Sequence, residues 1–357
     1  MVPLLAGAQQ RNAAACRQQP VSQPARNLIF VVGDGMGVAQ VYASMVARRA
    51  DNSVFLRFPY TGFSRTYSHN RYTTGSGAGG TALMSGTKVE NYHIAVRPDG
   101  SPAYSILSYA QRAGMSAGFV TTSSVLDATP ASTYAHVSHR KQFDSISMQM
   151  ARCGFDVMIG GGLNHFKADF RKDGNAPLDT LLLKGYAMAY STRDLMGVSG
   201  RRICGLLYPE DPPKASERGR MLTLGALKAI ASLNAGDKGF VLMIEGAQID
   251  WACHRNDSAY LLEELADFEE MLDAVLDFAE RDGNTLVVVT ADHETGGLSL
   301  LDGNIAAGES RMAWATGGHS GLMVPVFAFG PGAEHFTGIM QNSDFFDKFV
   351  SLLPVRP

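Results

Sequence analysis

A chain of 357 residues has room for one large α/β domain or two smaller ones, and its composition is ordinary for a globular protein. A net charge of −3 leaves no basic footprint for nucleic acid, and no apolar run approaches the roughly 18 residues that a bilayer span needs. Cys16, Cys153, Cys204 and Cys253 lie far apart with no CxxC pair, which excludes a cysteine-only zinc knuckle and leaves open both a Cys153–Cys204 disulfide and free buried thiols.

Residues 1–25, rich in Gln, Ala and Arg with a short apolar stub, read as a leader or disordered segment outside the fold. The apolar run 27–32 (NLIFVV) ends at Gly33 and predicts a buried strand, with a helix over 36–49. Further strands are expected at 116–122, 155–159, 240–244, 285–290 and 324–329. Between the fourth and fifth of these six strands, Leu261, Leu265, Phe268, Leu272, Val275, Leu276 and Ala279 keep helical spacing. Asp257 or Ser258 can cap that helix and Gly283 can end it. Strands alternating with helices predict an α/β fold with a central, mostly parallel sheet covered on both faces. The polar, aperiodic stretch 164–218 reads as an insertion in a single domain spanning 26–357.

Five motifs follow or adjoin these strands: GDGMG at 33–37, LDATPA at 126–131, EGAQIDWACH at 245–254, TADHET at 290–295 and GGHSG at 317–321. Strand carboxyl ends share one rim in such a sheet, where ligands bind. Asp292 and His293 offer oxygen and nitrogen donors of the kind zinc takes, and Asp250 and His254 at i,i+4 share one face of a helical turn. Asp127 and Thr129 offer hard oxygens suited to magnesium, and Pro130 is expected to keep Thr129 extended. Glu294 reads as a solvated carboxylate, and His319 as part of a mobile loop. Ser76 opens TTGSGAGGTALMSG at 73–86, either a helix start whose N–H groups favour an anion or a flexible linker. Taken singly, each fragment fits an Asx turn, a cap or a core histidine as readily as a ligand.

Taken in order, the motifs resemble the alkaline phosphatase family from Asn27 to about Gly330. The resemblance implies a three-layer α/β sandwich and a phosphomonoesterase with two zinc ions and one magnesium. By motif position, Asp250, His254 and His319 would hold the first zinc, and Asp34, Asp292 and His293 the second. Asp34 would bridge to a magnesium held also by Asp127, Thr129 and Glu245. Ser76 would be the nucleophile and Arg140, in AHVSHR, the phosphate grip, which its planar fork suits. From position alone Arg140 reads as a surface charge. Gly75 departs from the aspartate often found before the nucleophile, which leaves the arginine less restrained. Trp251 stands where relatives carry Lys, His or Trp and would face the substrate with one indole N–H.

The implied reaction is attack by Ser76 on phosphorus in line, departure of an alcohol, and hydrolysis of the phosphoserine, with small organic phosphomonoesters as partners. A homodimer and a periplasmic or secreted location also belong to the resemblance. A phosphodiesterase of the same superfamily is the alternative, disfavoured by Asp127, Thr129, Glu245 and Arg140. A non-catalytic metal-stabilised module is disfavoured because every ligand position is filled. No Cys/Ser-x-Pro-x-Arg motif supports a sulfatase.

Overall fold

The computed structural model describes residues 24–49 and 52–356, so most of the expected leader, with Cys16, lies outside the described residues. Its strands are β1 (Asn27–Gly33), β2 (Tyr60–Arg65), β3 (Ser116–Ser124), β4 (Val157–Gly161), β5 (Ala187–Ala189), β6 (Ile203–Leu206) and β7 (Phe240–Gly246). They continue with β8 (Thr285–Thr290), β9 (Glu294–Thr295), β10 (Leu298–Asn304), β11 (Glu309–Trp314), β12 (His319–Ser320), β13 (Val324–Phe329) and β14 (Gly338–Gln341). Ten of these form one sheet in the order β14-β2-β13-β8-β1-β7-β3-β4-β6-β5. The central run from β8 to β5 is parallel throughout. Strand β13 runs antiparallel to both β8 and β2.

The central strands are continuous apolar runs because both of their faces are covered. In β1, Leu28, Phe30 and Val32 enter one core and Ile29 and Val31 the other. Helices Ser76–Ser85, Ile106–Arg112, Phe143–Cys153 and Asp344–Leu352 pack on the first face. Helices Val38–Ala47, Met221–Leu233, Gln248–His254 and Ser258–Asp282 cover the second. The expected three-layer α/β sandwich is therefore observed. No helix among the described residues is long and apolar enough to cross a membrane.

The strands expected at 285–290 and 324–329 have those bounds, whereas 155–159 is displaced to Val157–Gly161 and ends at Gly162, where φ is +96°. The segment 164–218 carries β5 and β6, which continue the main sheet at its edge, parallel to β4. Cys153 and Cys204 are free thiols, and burial pushes Cys153 up to about 12.

The long helix starts where Asp257 accepts hydrogen bonds from the Ala259 and Tyr260 N–H groups at 3.1 and 3.0 Å and ends at left-handed Gly283. Two N–H groups that the helix cannot satisfy internally are paired by this one carboxylate. Asp257→Ala is expected to lower unfolding stability by about 1 kcal/mol, as read from a denaturant midpoint shift at constant slope.

Candidate active site

Four adjacent parallel strands deliver the chemistry to one rim. Asp34 follows β1, Glu245 is the penultimate residue of β7, Asp292 and His293 follow β8, and β3 leads into Asp127 and Thr129. His319 reaches the same rim from the other direction, because antiparallel β13 begins there. It lies in β12, paired with Thr295 of β9, rather than in the mobile loop expected. Thr129 also departs from its expected extended form. It lies in a single helical turn, Ala128–Ala131, capped by the Asp127 side chain. Proline is tolerated in a first helical turn because the N–H it lacks would have no helical partner there.

Ser76 is the first residue of helix Ser76–Ser85, so the glycine-rich stretch is a helix start and not a linker. Its glycines are required by proximity. A Cβ on Gly79 would meet the Asp292 carbonyl oxygen at 2.9 Å, and one on Gly77 the His93 carbonyl at 2.7 Å. Gly75 is different: a Cβ there meets nothing within 4 Å. Ser76 Oγ lies 3.4 Å from His293 Nε2 and 3.4 Å from Arg140 Nη1. Arg140 is thus drawn into the site, and its Nη2 donates to Asp127 Oδ1 at 2.5 Å.

Two groups of metal-competent atoms flank the serine. Around Asp250, His254 Nε2 lies 3.3 Å from Oδ2, His319 Nε2 lies 3.7 Å from Oδ1, and the two Nε2 atoms are 3.1 Å apart. Each of these rings turns its Nδ1 to a main-chain carbonyl, Gly317 and Thr74 respectively, at 2.7 Å. A carbonyl only accepts, so Nδ1 carries a proton in each ring, and the two Nε2 atoms, once deprotonated, turn their lone pairs toward one another. That arrangement fits a cation between them and follows the usual way metal-binding imidazoles are oriented. The second group is fully buried: His293 Nε2 lies 3.4 Å from Asp34 Oδ1 and 3.2 Å from Asp292 Oδ2. Donor atoms of Asp34, Asp292 and His293 fall within 4.8 Å of one another, as do those of Asp250, His293 and His319.

Beside Asp34, Thr129 Oγ1 stands 3.5 Å from Asp34 Oδ2, and Glu245 accepts from Thr121 and from Ser123. Asp34 Oδ1, Asp292 Oδ2 and Glu245 Oε1 are buried with no hydrogen-bond partner among the described residues. A buried carboxylate oxygen without a partner is costly unless a cation meets it. The donor set therefore fits divalent ions: nitrogen and oxygen for zinc, oxygen alone around Thr129 and Glu245 for magnesium.

The electrostatics agree. Burial, then repulsion from Asp292, Asp250 and Glu245, raises Asp34 well above the carboxylate range. Burial and Asp127 lift Glu245 to about 8, and burial and Asp250 lift Asp292 to about 7. Asp250 is the exception: burial works upward, but His254, His293 and His319 outweigh it and hold the carboxyl at about 2. Hydrogen bonding to that carboxylate lifts His254 to about 9, while burial drives His293 down.

Two residues were misjudged or passed over in sequence. Glu294 is buried, not solvated. It accepts from Gln40 Nε2 at 2.9 Å, from the N–H groups of Gly297 and Leu298 at 3.1 Å, and from Ser320 Oγ, so it fastens the DHET segment to the His319 strand. Thr295, the last residue of the quoted TADHET motif, donates to Asp250 Oδ1. Trp251 is half-buried and packs on the apolar cluster beneath its helix.

The sequence profile of the alkaline phosphatase family matches residues 25–309. Alkaline phosphatase 3 of Bacillus subtilis (strain 168) is 32% identical, covering 89% of this chain and 87% of its own. Streptomycin-6-phosphate phosphatase of Streptomyces griseus is 30% identical, covering 96% and 94%. The solved alkaline phosphatase of the Antarctic bacterium TAB5 superposes with a TM-score of 0.87 at 36% identity, over 92% of this chain and 98% of that one. A variant of the TAB5 enzyme with Mg bound in its M3 site gives the same TM-score at 34% identity, over 94% and 99%.

Raised acids and a raised imidazole mean that the metal-free folded chain binds more protons than the unfolded chain above neutrality. Asp292, Glu245 and His254 lose those protons near pH 7, 8 and 9, where unfolded acids are already ionised and unfolded imidazole is mostly neutral. Stability of the chelated protein should therefore fall as pH rises from 7 to 9. Thermal unfolding should show this decline with chelator present and a much flatter profile with zinc and magnesium. A flat profile in chelator would contradict the crowding of charge described here.

Proposed function

The chain belongs to the alkaline phosphatase family and is a phosphomonoester hydrolase, and from that premise we propose that it works through a phosphoserine formed on Ser76. Asp250, His254 and His319 are assigned to one zinc, and Asp34, Asp292 and His293 to a second. Asp34, Asp127, Thr129 and Glu245 are assigned to a magnesium. The observation that carries the reading is the place of Ser76 Oγ, 3.4 Å from a buried imidazole nitrogen among carboxylates and 3.4 Å from an arginine nitrogen. One hydroxyl stands between a metal-competent group and a phosphate-competent cation.

When bound, the zinc pair would lower the pKa of the serine hydroxyl and of a hydrolytic water and neutralise the departing oxygen. The chain's own part is positional. Helix Ser76–Ser85 presents its N-terminal N–H groups to the developing negative charge. Arg140, anchored through Nη2 by Asp127, turns Nη1 toward Ser76 and can grip equatorial phosphoryl oxygens while Ser76 Oγ attacks in line. The P–O bond to the alcohol breaks as the serine bond forms. Water then cleaves the phosphoserine, releases inorganic phosphate and restores the hydroxyl. His293 need not serve as the base, since its Nε2 faces Asp34 and Asp292 as well as Ser76. Trp251 is assigned to the substrate side of the first zinc. Breadth toward organic phosphomonoesters follows from a site whose named groups all address phosphate. A homodimer and a periplasmic or secreted location complete the proposal.

Two experiments test it. Hydrolysis of p-nitrophenyl phosphate should vanish on chelation and return with zinc and magnesium, while the bis-ester is cleaved poorly. Ser76→Ala should lose at least about a thousandfold in turnover with metal content retained. Preference for the bis-ester would favour a phosphodiesterase, and near-normal turnover in Ser76→Ala would remove the serine from its role. Second, a Cβ at Gly75 would meet nothing within 4 Å, so Gly75→Asp can be made without displacing a neighbour at that atom. It should tighten inhibition by inorganic phosphate several-fold, on the order of 1 kcal/mol, and slow product release. An unchanged inhibition constant in the folded variant would remove the restraint argument.

A further inference from the structure

Thr295 stands between the two proposed zinc groups, touching one ligand of each. Its Oγ1 lies 2.5 Å from Asp250 Oδ1 and 3.2 Å from His293 Nδ1. A hydroxyl has one proton to donate, and the carboxylate is both the nearer and the stronger acceptor. The Thr295 proton therefore goes to Asp250, and the remaining Oγ1 lone pair can only accept. The partner it accepts from is His293 Nδ1–H. The result is a one-way chain, His293 Nδ1–H to Thr295 Oγ1–H to Asp250 Oδ1, and it leaves His293 Nε2 without a proton, facing Asp34, Asp292 and Ser76.

This arrangement differs from that of the other two imidazoles. His254 and His319 present Nδ1 to main-chain carbonyls, which no substitution at those partners removes. His293 depends on a side chain, and its ring is fully buried, out of reach of bulk water that could substitute. The hydroxyl is held firmly. Thr295 N–H donates to the Gly35 carbonyl at 3.1 Å, and its own carbonyl accepts from Gln40 Nε2 at 2.8 Å. Gly35, at φ +70°, makes the room that this hydroxyl occupies, since a Cβ there would come within 2.8 Å of Thr295 Oγ1.

We infer that Thr295 is a positioning residue that sets the tautomer of His293 and, through Asp250, couples the geometry of the two zinc sites. This rests on the metal assignment proposed above. Removing the hydroxyl leaves a buried Nδ1–H without a partner, and the neutral ring then gains by moving its proton to Nε2, where it blocks the donor atom. The effect is exerted on metal retention before any substrate is present.

The test compares wild type, Thr295→Val and Thr295→Ser. Valine matches threonine in shape and lacks the hydroxyl; serine keeps it. Zinc affinity is read by competition with a chromophoric chelator, and the His293 tautomer by imidazole nitrogen NMR shifts. Valine should weaken the zinc assigned to Asp34, Asp292 and His293 by about 10- to 100-fold, the usual effect of losing a hydrogen bond to a metal-binding histidine, and should shift the proton from Nδ1. Serine should stay within a few-fold of wild type on both readouts. Equal zinc affinity and an unchanged tautomer in a folded Thr295→Val protein overturn the inference, as does loss in Thr295→Ser equal to that in Thr295→Val. A wild-type chain that binds no zinc overturns the metal assignment itself and Thr295's role with it.

Discussion

Carboxylates crowded at one buried rim are the constraint on which the rest of the molecule depends. Asp34, Glu245 and Asp292 each keep an oxygen without a protein partner, in a place where water has little access. Left alone, such oxygens repel one another and favour protonation. Positive charge must be brought to them, and the fold brings Arg140, together with three imidazoles able to help hold a cation, from four separate stretches of chain. The slight negative charge of the whole protein is irrelevant to this balance, which is set within a few ångströms.

The sheet makes that concentration possible at low conformational cost. Parallel strands β8, β1, β7 and β3 are neighbours, so their carboxyl ends place residues far apart in sequence side by side without long loops. The glycines of helix Ser76–Ser85 then let the helix that carries Ser76 approach the β8 end more closely than any side chain would allow. Glu294 and Gln40 lock the segment after β8 to the helix after β1, so the ligands rest on a hydrogen-bonded frame.

Much of this was legible in the chain. Strands β1, β7, β8 and β13 are uninterrupted apolar runs bounded by motif residues, and the long helix carries both its cap and its stop. The motifs in order named Asp34, Ser76, Asp127, Glu245, Asp250, Asp292, His293 and His319, which the fold brings to one rim, but not the contacts of Glu294 and Thr295. What escaped was set by tertiary contact. Glu294 looks like its exposed neighbours until Gln40 and Ser320 close over it. The turn at Thr129 is helical because Asp127 caps it, a local gain that outweighs the bias imposed by the following proline. Strands β5 and β6, of three and four residues, are too short to stand out within a polar stretch. Arg140 is a surface charge by pattern, and it was the family resemblance that pointed to the place beside Ser76 where the fold carries it. Thr295 lay inside a quoted motif, but a threonine has no distinguishing mark until its two partners are known.

The reversed direction of β13 has a consequence for assembly of the site. Because that strand begins at the rim where its neighbours end, His319 precedes it, and the His254–His319 pair closes only after β13 has docked between β8 and β2. Along the chain Asp34 and Ser76 come first, and His319 follows every other proposed donor. Docking of β13 and closure of the His254–His319 pair are thereby linked, so an ion held by that pair would stabilise this side of the sheet together with the site.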